Sequence, residues 1–194
     1  GKILRIKPQP DGTYTIPEGN LAPIPPKGAF SATNPPSSGG GLVRPEIYTM
    51  GHRNPYRISV DPKNSKLYWG DVGPDASKAD PNRGAAGTCE FGQAPAAGNY
   101  GWPHFVGNNQ PYNKFNFETK QSGEKWDVFK PVNNSPNNTG LIQLPEAKGA
   151  MIWYTYAKSE EFPLLGAGGC NPMAGPVYYK EMYANAERAF PKYY

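Results

Sequence analysis

PEIYTMGHRNPYRISVDPKNSKLYWGDVGP, residues 45–74, decides how this chain is read. Residues 46–50, 56–60 and 66–69 are rich in β-branched and aromatic side chains and read as strands, with DPKNS turning between the last two. Between the first two strands lies an Arg-Asn-Pro corner. Arg53 offers a planar, permanently charged fork that suits a carboxylate. Asn54 adds a neutral donor and acceptor beside it, and Pro55 fixes the backbone that follows. At the far end Gly73 and Pro74 are expected to turn the chain so that their carbonyls face outward. Carbonyls of that kind are the hard oxygen ligands that Ca²⁺ takes.

Working outward, residues 2–7 alternate apolar and polar side chains as a short strand does, and Pro8-Gln9-Pro10-Asp11-Gly12 reads as a hairpin turn. Residues 19–41, rich in Pro, Ser and Gly, read as a surface excursion. Residues 75–97 are expected to form an ordered loop over a binding face, and residues 108–144 mostly loop. Residues 150–156 and 176–180 read as strands, and residues 182–189 as a short helix or turn.

The composition points the same way. The chain has 194 residues, enough for one domain with a core, and 23 of them are Gly and 23 Pro. Disorder is excluded by 13 Tyr, 8 Phe and 4 Trp. Turn-rich, aromatic-rich and poor in helix formers describes an all-β protein with long ordered loops. A net charge of only +4, without a Lys/Arg run, argues against nucleic acid. No apolar run is long enough for a membrane span. The chain opens directly on strand-like sequence and stops at FPKYY, so it is read as a fragment, residues 1–194, of a single domain truncated at both ends.

Cys89 and Cys170 belong to no CxxC pair, and two cysteines alone make no zinc site. A disulfide in an oxidising compartment and two buried free thiols both remain open. The sequons at Asn133 and Asn137 are what chance gives in an Asn-rich loop.

GKILRI at 1–6, IYTMGHRNP at 47–55, GDVGPD at 70–75 and GNYGWP at 98–103 occur in that order. This set resembles the soluble quinoprotein glucose/sorbosone dehydrogenase family, whose members use pyrroloquinoline quinone (PQQ). GGCNPMAGPVYY at 168–179 is similar to a further segment in the branch found with large, multidomain sugar dehydrogenases. The resemblance implies a six-bladed β-propeller, of which this chain has strands for about two to three blades. The rest of the parent propeller would then be a necessary partner, because the outer strands expose unpaired edges.

The resemblance also implies site roles. Arg53 would pair with a PQQ carboxylate, Asn54 would hydrogen-bond the cofactor, and the carbonyls of Gly73 and Pro74 would ligate a Ca²⁺ that bridges to it. Asn171 would line the same pocket. The substrate would be a sugar or polyol, oxidised with hydride transfer to PQQ and reoxidation by an external electron acceptor. The family's base lies upstream of the GKILRI segment, so His52 is expected to support the corner and His104 to pack. The parent enzyme is expected in the periplasm or outside the cell.

Three positions depart from the family pattern. Val72 stands where relatives place Gln or His. Cys89-Glu90-Phe91-Gly92 stands where relatives show Asp-Glu-x-Asn, leaving Glu90 to serve a structural Ca²⁺ or, by the preferred reading, to be solvated. Val72, Cys89 and Gly92 favour the competing class, a non-catalytic propeller that binds carbohydrate or protein.

Overall fold

The computed structural model describes residues 1–21, 44–138, 140–179 and 181. The strands are short, as Gly and Pro at such density dictate. In chain order they are β1 (Lys2–Leu4), β2 (Lys7–Pro8), β3 (Tyr14–Thr15), β4 (Ile47–Met50), β5 (Pro55–Val60), β6 (Leu67–Asp71) and β7 (Cys89–Ala94). They continue with β8 (Gly98–Asn99), β9 (Phe105–Val106), β10 (Gln110–Pro111), β11 (Asn113–Asn116), β12 (Gln121–Lys125) and β13 (Ile152–Tyr154). A short 3₁₀ turn spans Pro163–Leu165. None of these elements is long and apolar enough to cross a membrane as a helix.

The largest sheet has four antiparallel strands in the order β13-β7-β6-β5. Beside it β1, β4 and β8 form a second sheet, antiparallel at β1–β4 and parallel at β4–β8. Three two-stranded ladders complete the described residues, and no sheet closes on itself. The core lies between the two larger sheets and joins Ile3, Tyr48, Leu67, Trp69, Ala94 and Tyr100. Trp69 is its centre, 1% exposed and edge-on to Tyr100 with ring centroids 4.5 Å apart. Truncating an indole so placed costs about 3–5 kcal/mol.

The all-β reading holds, as does the hairpin at Asp11-Gly12, where Lys7 pairs with Thr15 and Pro8 with Tyr14. Residues 2–7 do not form one strand: β1 stops at Leu4 after a register shift, and of its apolar side chains only Ile3 is buried. Residues 75–97 are not all loop. β7 runs through them as an interior strand, paired with β6 on one side and β13 on the other. Its sequence, CEFGQA, lacks the β-branched signal of a strand; Gly92 is there because the Trp69 indole lies on it. A Cβ at Gly92 would stand 2.1 Å from Cζ2 of Trp69. β10, β11 and β12 likewise interrupt the loop expected at 108–144. Residues 176–179 join no sheet, and the helix or turn expected at 182–189 and most of the 19–41 excursion lie outside the described residues.

Candidate functional site

Three sequence motifs distant along the chain meet at one corner. β4 ends at Met50 and Gly51 turns the chain with φ +80. That turn presses against residues 99–101: Tyr100 N–H donates to Met50 O at 2.8 Å and Trp102 N–H to Gly51 O at 3.0 Å. A side chain at Gly51 would lie 2.4 Å from Gly101 N, so only glycine allows the approach. Below the corner, His52 is fully buried between the Trp69 edge and the Tyr100 face, with centroids at 4.9 and 5.7 Å.

Asp71, at the end of β6, fixes the corner from the third motif. Its Oδ2 accepts the Arg53 N–H at 3.0 Å and its Oδ1 the Asn54 N–H at 2.6 Å. The buried carboxylate thus serves two backbone donors of the neighbouring segment, not its own turn. Their side chains are left exposed on one rim. The Arg53 guanidinium donates through Nη1 to Val72 O at 3.0 Å and stands 5.9 Å from the Trp102 ring. Its remaining donors are available to an anion. Val72 therefore contributes its carbonyl, whatever its side chain cannot do.

Of the two carbonyls expected to face outward, Pro74 O accepts the Ala76 N–H at 2.9 Å. It also packs so closely on Gly87 that a Cβ there would stand 1.8 Å from it. Gly73 is buried and donates its N–H to Cys89 Sγ at 3.4 Å. No three His, Cys, Asp or Glu side chains converge as a metal site among the described residues.

Cys89 and Cys170 are joined as a disulfide. This bond lays residues 170–173 across β6, where the Pro172 carbonyl carbon would stand 2.2 Å from a Cβ on Gly70. Asn171 lies between Cys170, tied to β7, and Pro172, packed on Gly70 of β6, and its side chain is exposed.

Glu90 is not solvated. It is paired with Asp71 across β6 and β7, and its Oε1 accepts the Gly107 N–H. Burial pushes its pKa up to about 8, and the Asp71 charge adds to the effect against the Gly107 hydrogen bond. A small cavity beneath Arg53 runs between Glu90, Asp71, Gly73, Trp102 and Phe105. The sequence gives no sign of this burial, because a single Glu between Cys and Phe reads equally well on either face of a strand.

The histidines carry no exposed base. Thr49 Oγ1 lies 2.8 Å from His52 Nε2, and His52 Nδ1 is 3.7 Å from Asp71 Oδ2, beyond hydrogen-bond range. Burial lowers the His52 pKa in spite of Asp71, so the ring is neutral at physiological pH. His104 stacks on Trp126 at 3.8 Å and its pKa is likewise lowered by burial.

Residues 5–142 match the family model described as Glucose / Sorbosone dehydrogenase. Quinoprotein glucose dehydrogenase B of Acinetobacter calcoaceticus is 29% identical over 132 residues, which cover 62% of this chain and 24% of the relative. The chain thus spans about a quarter of that relative's length. No solved structure matches it. The corner built from GHRNP, GDVGP and GNYGWP falls wholly inside the matched stretch, and the chain belongs to the glucose/sorbosone dehydrogenase family.

Proposed function

We infer that this chain is part of a PQQ-dependent dehydrogenase that oxidises a hydroxyl of a sugar or polyol, and that the Arg53 corner holds the quinone. The observation that carries the reading is the pair of hydrogen bonds from the Arg53 and Asn54 backbone to Asp71. They pre-organise a guanidinium and an amide on one exposed rim, which suits a planar ortho-quinone tricarboxylate. When bound, PQQ supplies the acceptor for the hydride of a hydroxyl-bearing carbon. Arg53 neutralises one of its carboxylates, Asn54 orients it, and Asn171 closes the same rim from the disulfide-anchored segment. The proton of the substrate hydroxyl goes to a base outside this chain, since His52 is buried and His104 is stacked on Trp126.

Calcium fits the chain only in part. Ca²⁺ takes about six to eight oxygens, while both Asp71 oxygens accept N–H groups and Pro74 O is engaged by Ala76. Gly73 and Pro74 are therefore proposed as carbonyl contributors to a shared site, completed by the cofactor and by residues beyond this chain.

The four-stranded sheet β13-β7-β6-β5 has the size and antiparallel order of one propeller blade. A six-bladed ring then requires the remainder of the parent protein. The Cys89–Cys170 bond favours the periplasm or the exterior of the cell. Val72 favours a second reading, a propeller that binds carbohydrate without oxidising it. Adding sugars to the PQQ-loaded parent protein decides between them: bleaching of the quinone spectrum by a sugar supports the enzyme, and an unchanged spectrum with bound sugar supports the binder.

A further inference from the structure

Beside the Arg53 corner lies a second cavity that the cofactor reading does not use. It is a cleft of about 630 Å³, within the roughly 300–1,000 Å³ of small-molecule sites. Trp102, His104, Tyr112, Phe115, Phe117 and Trp126 all line it. Phe117 is 66% exposed, a large apolar ring facing solvent just past the end of β11. His104, kept neutral by burial, stacks on Trp126 at 3.8 Å. The buried oxygens of the wall, Tyr112 Oη and Asn113 Oδ1, are sealed from the cleft and offer an occupant nothing. What the walls present is aromatic face, which suits a flat conjugated ring system.

The rim sets the sign of the occupant. Lys78 and Arg83 stand there against one carboxylate, Asp80, and neither cation has an ion-pair partner among the described residues. Asp80 instead accepts the Asn82 N–H at 2.7 Å. Arg83 lies over Phe115 and Phe117, 4.2 and 5.2 Å from their centroids, so its charge is held against the aromatic wall. Such a rim favours an anionic ring over a cationic one.

Pro74 and Trp102 line both this cleft and the small cavity beneath Arg53, and the Arg53 guanidinium stands 5.9 Å from the Trp102 ring. That partition decides what an occupant can do. Hydride transfer needs contact between the reacting atoms, which Trp102 denies to a molecule in the cleft. Electrons, by contrast, can pass through an indole. We propose that the cleft is the docking site of a flat, anionic electron acceptor of the quinone or quinone-imine class, separate from the place where the sugar is presented. Reduced PQQ then gives up two electrons through the partition and its two hydroxyl protons to water, and returns to the quinone. The acceptor takes two electrons and two protons and becomes its hydroquinone or leuco form. This role rests on the dehydrogenase reading; binding in the cleft does not.

The test is equilibrium dialysis of the full parent protein without PQQ, with dichlorophenolindophenol as the anionic probe and N-methylphenazonium as the cationic one. The anion is expected to bind saturably, and about tenfold or more tighter than the cation. Phe117→Ala, at an exposed position that tolerates truncation, is expected to weaken it about tenfold, and Arg83→Ala to erase the preference for the anion. PQQ added with Ca²⁺ is expected to leave the dye bound. No preference for the anion, an affinity that survives both substitutions, or displacement of the dye by PQQ overturns the proposal. In the PQQ-loaded protein Phe117→Ala should raise the KM for the dye and leave that for the sugar; a dye KM that does not move overturns the acceptor role. Failure of the dehydrogenase reading looks different: no sugar is oxidised, with dye binding intact.

Discussion

Asp71 holds the backbone of Asn54, its Oδ1 accepting the Asn54 N–H at 2.6 Å while its Oδ2 takes that of Arg53. A strand end thus fixes a corner 17 residues away. Hydrogen bonds to a charged group are worth about 1.5–3 kcal/mol each. Asp71→Asn keeps the shape but offers one good acceptor for two donors. It is expected to lower stability by about 1.5–3 kcal/mol in chemical denaturation and to weaken PQQ binding, because the exposed side chains lose their fixed base.

Gly92 and Gly169 make a matched pair for the account of β7. A Cβ at Gly92 stands 2.1 Å from the Trp69 ring, whereas nothing lies within 4 Å of one at Gly169. Gly92→Ala is expected to cost about 1–3 kcal/mol by overpacking. Gly169→Ala is expected to leave the melting temperature unchanged. Equal effects at the two sites would contradict the packing described for Trp69.

Glu90 predicts a pH dependence of definite sign. Its pKa rises on folding from 4.5 to about 8, so the folded state binds the proton more tightly. The contribution is fully present below the unfolded value, and is lost as pH rises through the folded value. Stability should therefore fall between pH 4.5 and 8, by an amount on the order of a few kcal/mol. Glu90→Gln should flatten this slope, read from denaturation midpoints at stepped pH.

The Cys89–Cys170 bond closes a loop with a sequence separation of 81. Losing a native disulfide costs about 2–5 kcal/mol. Cys170→Ser should destabilise the protein by that order. It should also expose the β6 backbone at Gly70, visible as faster amide exchange there, since residues 170–173 are no longer tied down.

How much of this was legible in the sequence differs by element. β4, β5 and β6 announced themselves through aromatic and β-branched runs, and the corner through Arg53-Asn54-Pro55. β7 did not, because CEFGQA forms a strand through its neighbours' backbones and the space Gly92 leaves for Trp69. The same contact gives Gly92 a structural reason, and the disulfide gives Cys89 one. Neither departure from the family pattern then needs a lost activity to explain it. The outward carbonyl expected at Pro74 turned on the position of Gly87, a contact that no local pattern encodes. The cleft that gathers Trp102, Phe117 and Trp126 was hidden for a like reason: the last two sit in the 108–144 stretch that reads mostly as loop, and only the tertiary fold brings them to Trp102.

The central claim is that the Arg53 corner binds the quinone, and a spectroscopic PQQ titration of the full parent protein with Ca²⁺ present tests it most directly. Wild type is expected to bind saturably, and Arg53→Ala to bind at least about tenfold more weakly, the loss of one charge-assisted contact. A folded Arg53→Ala protein with undiminished affinity, or a wild type that does not bind PQQ, would contradict the account.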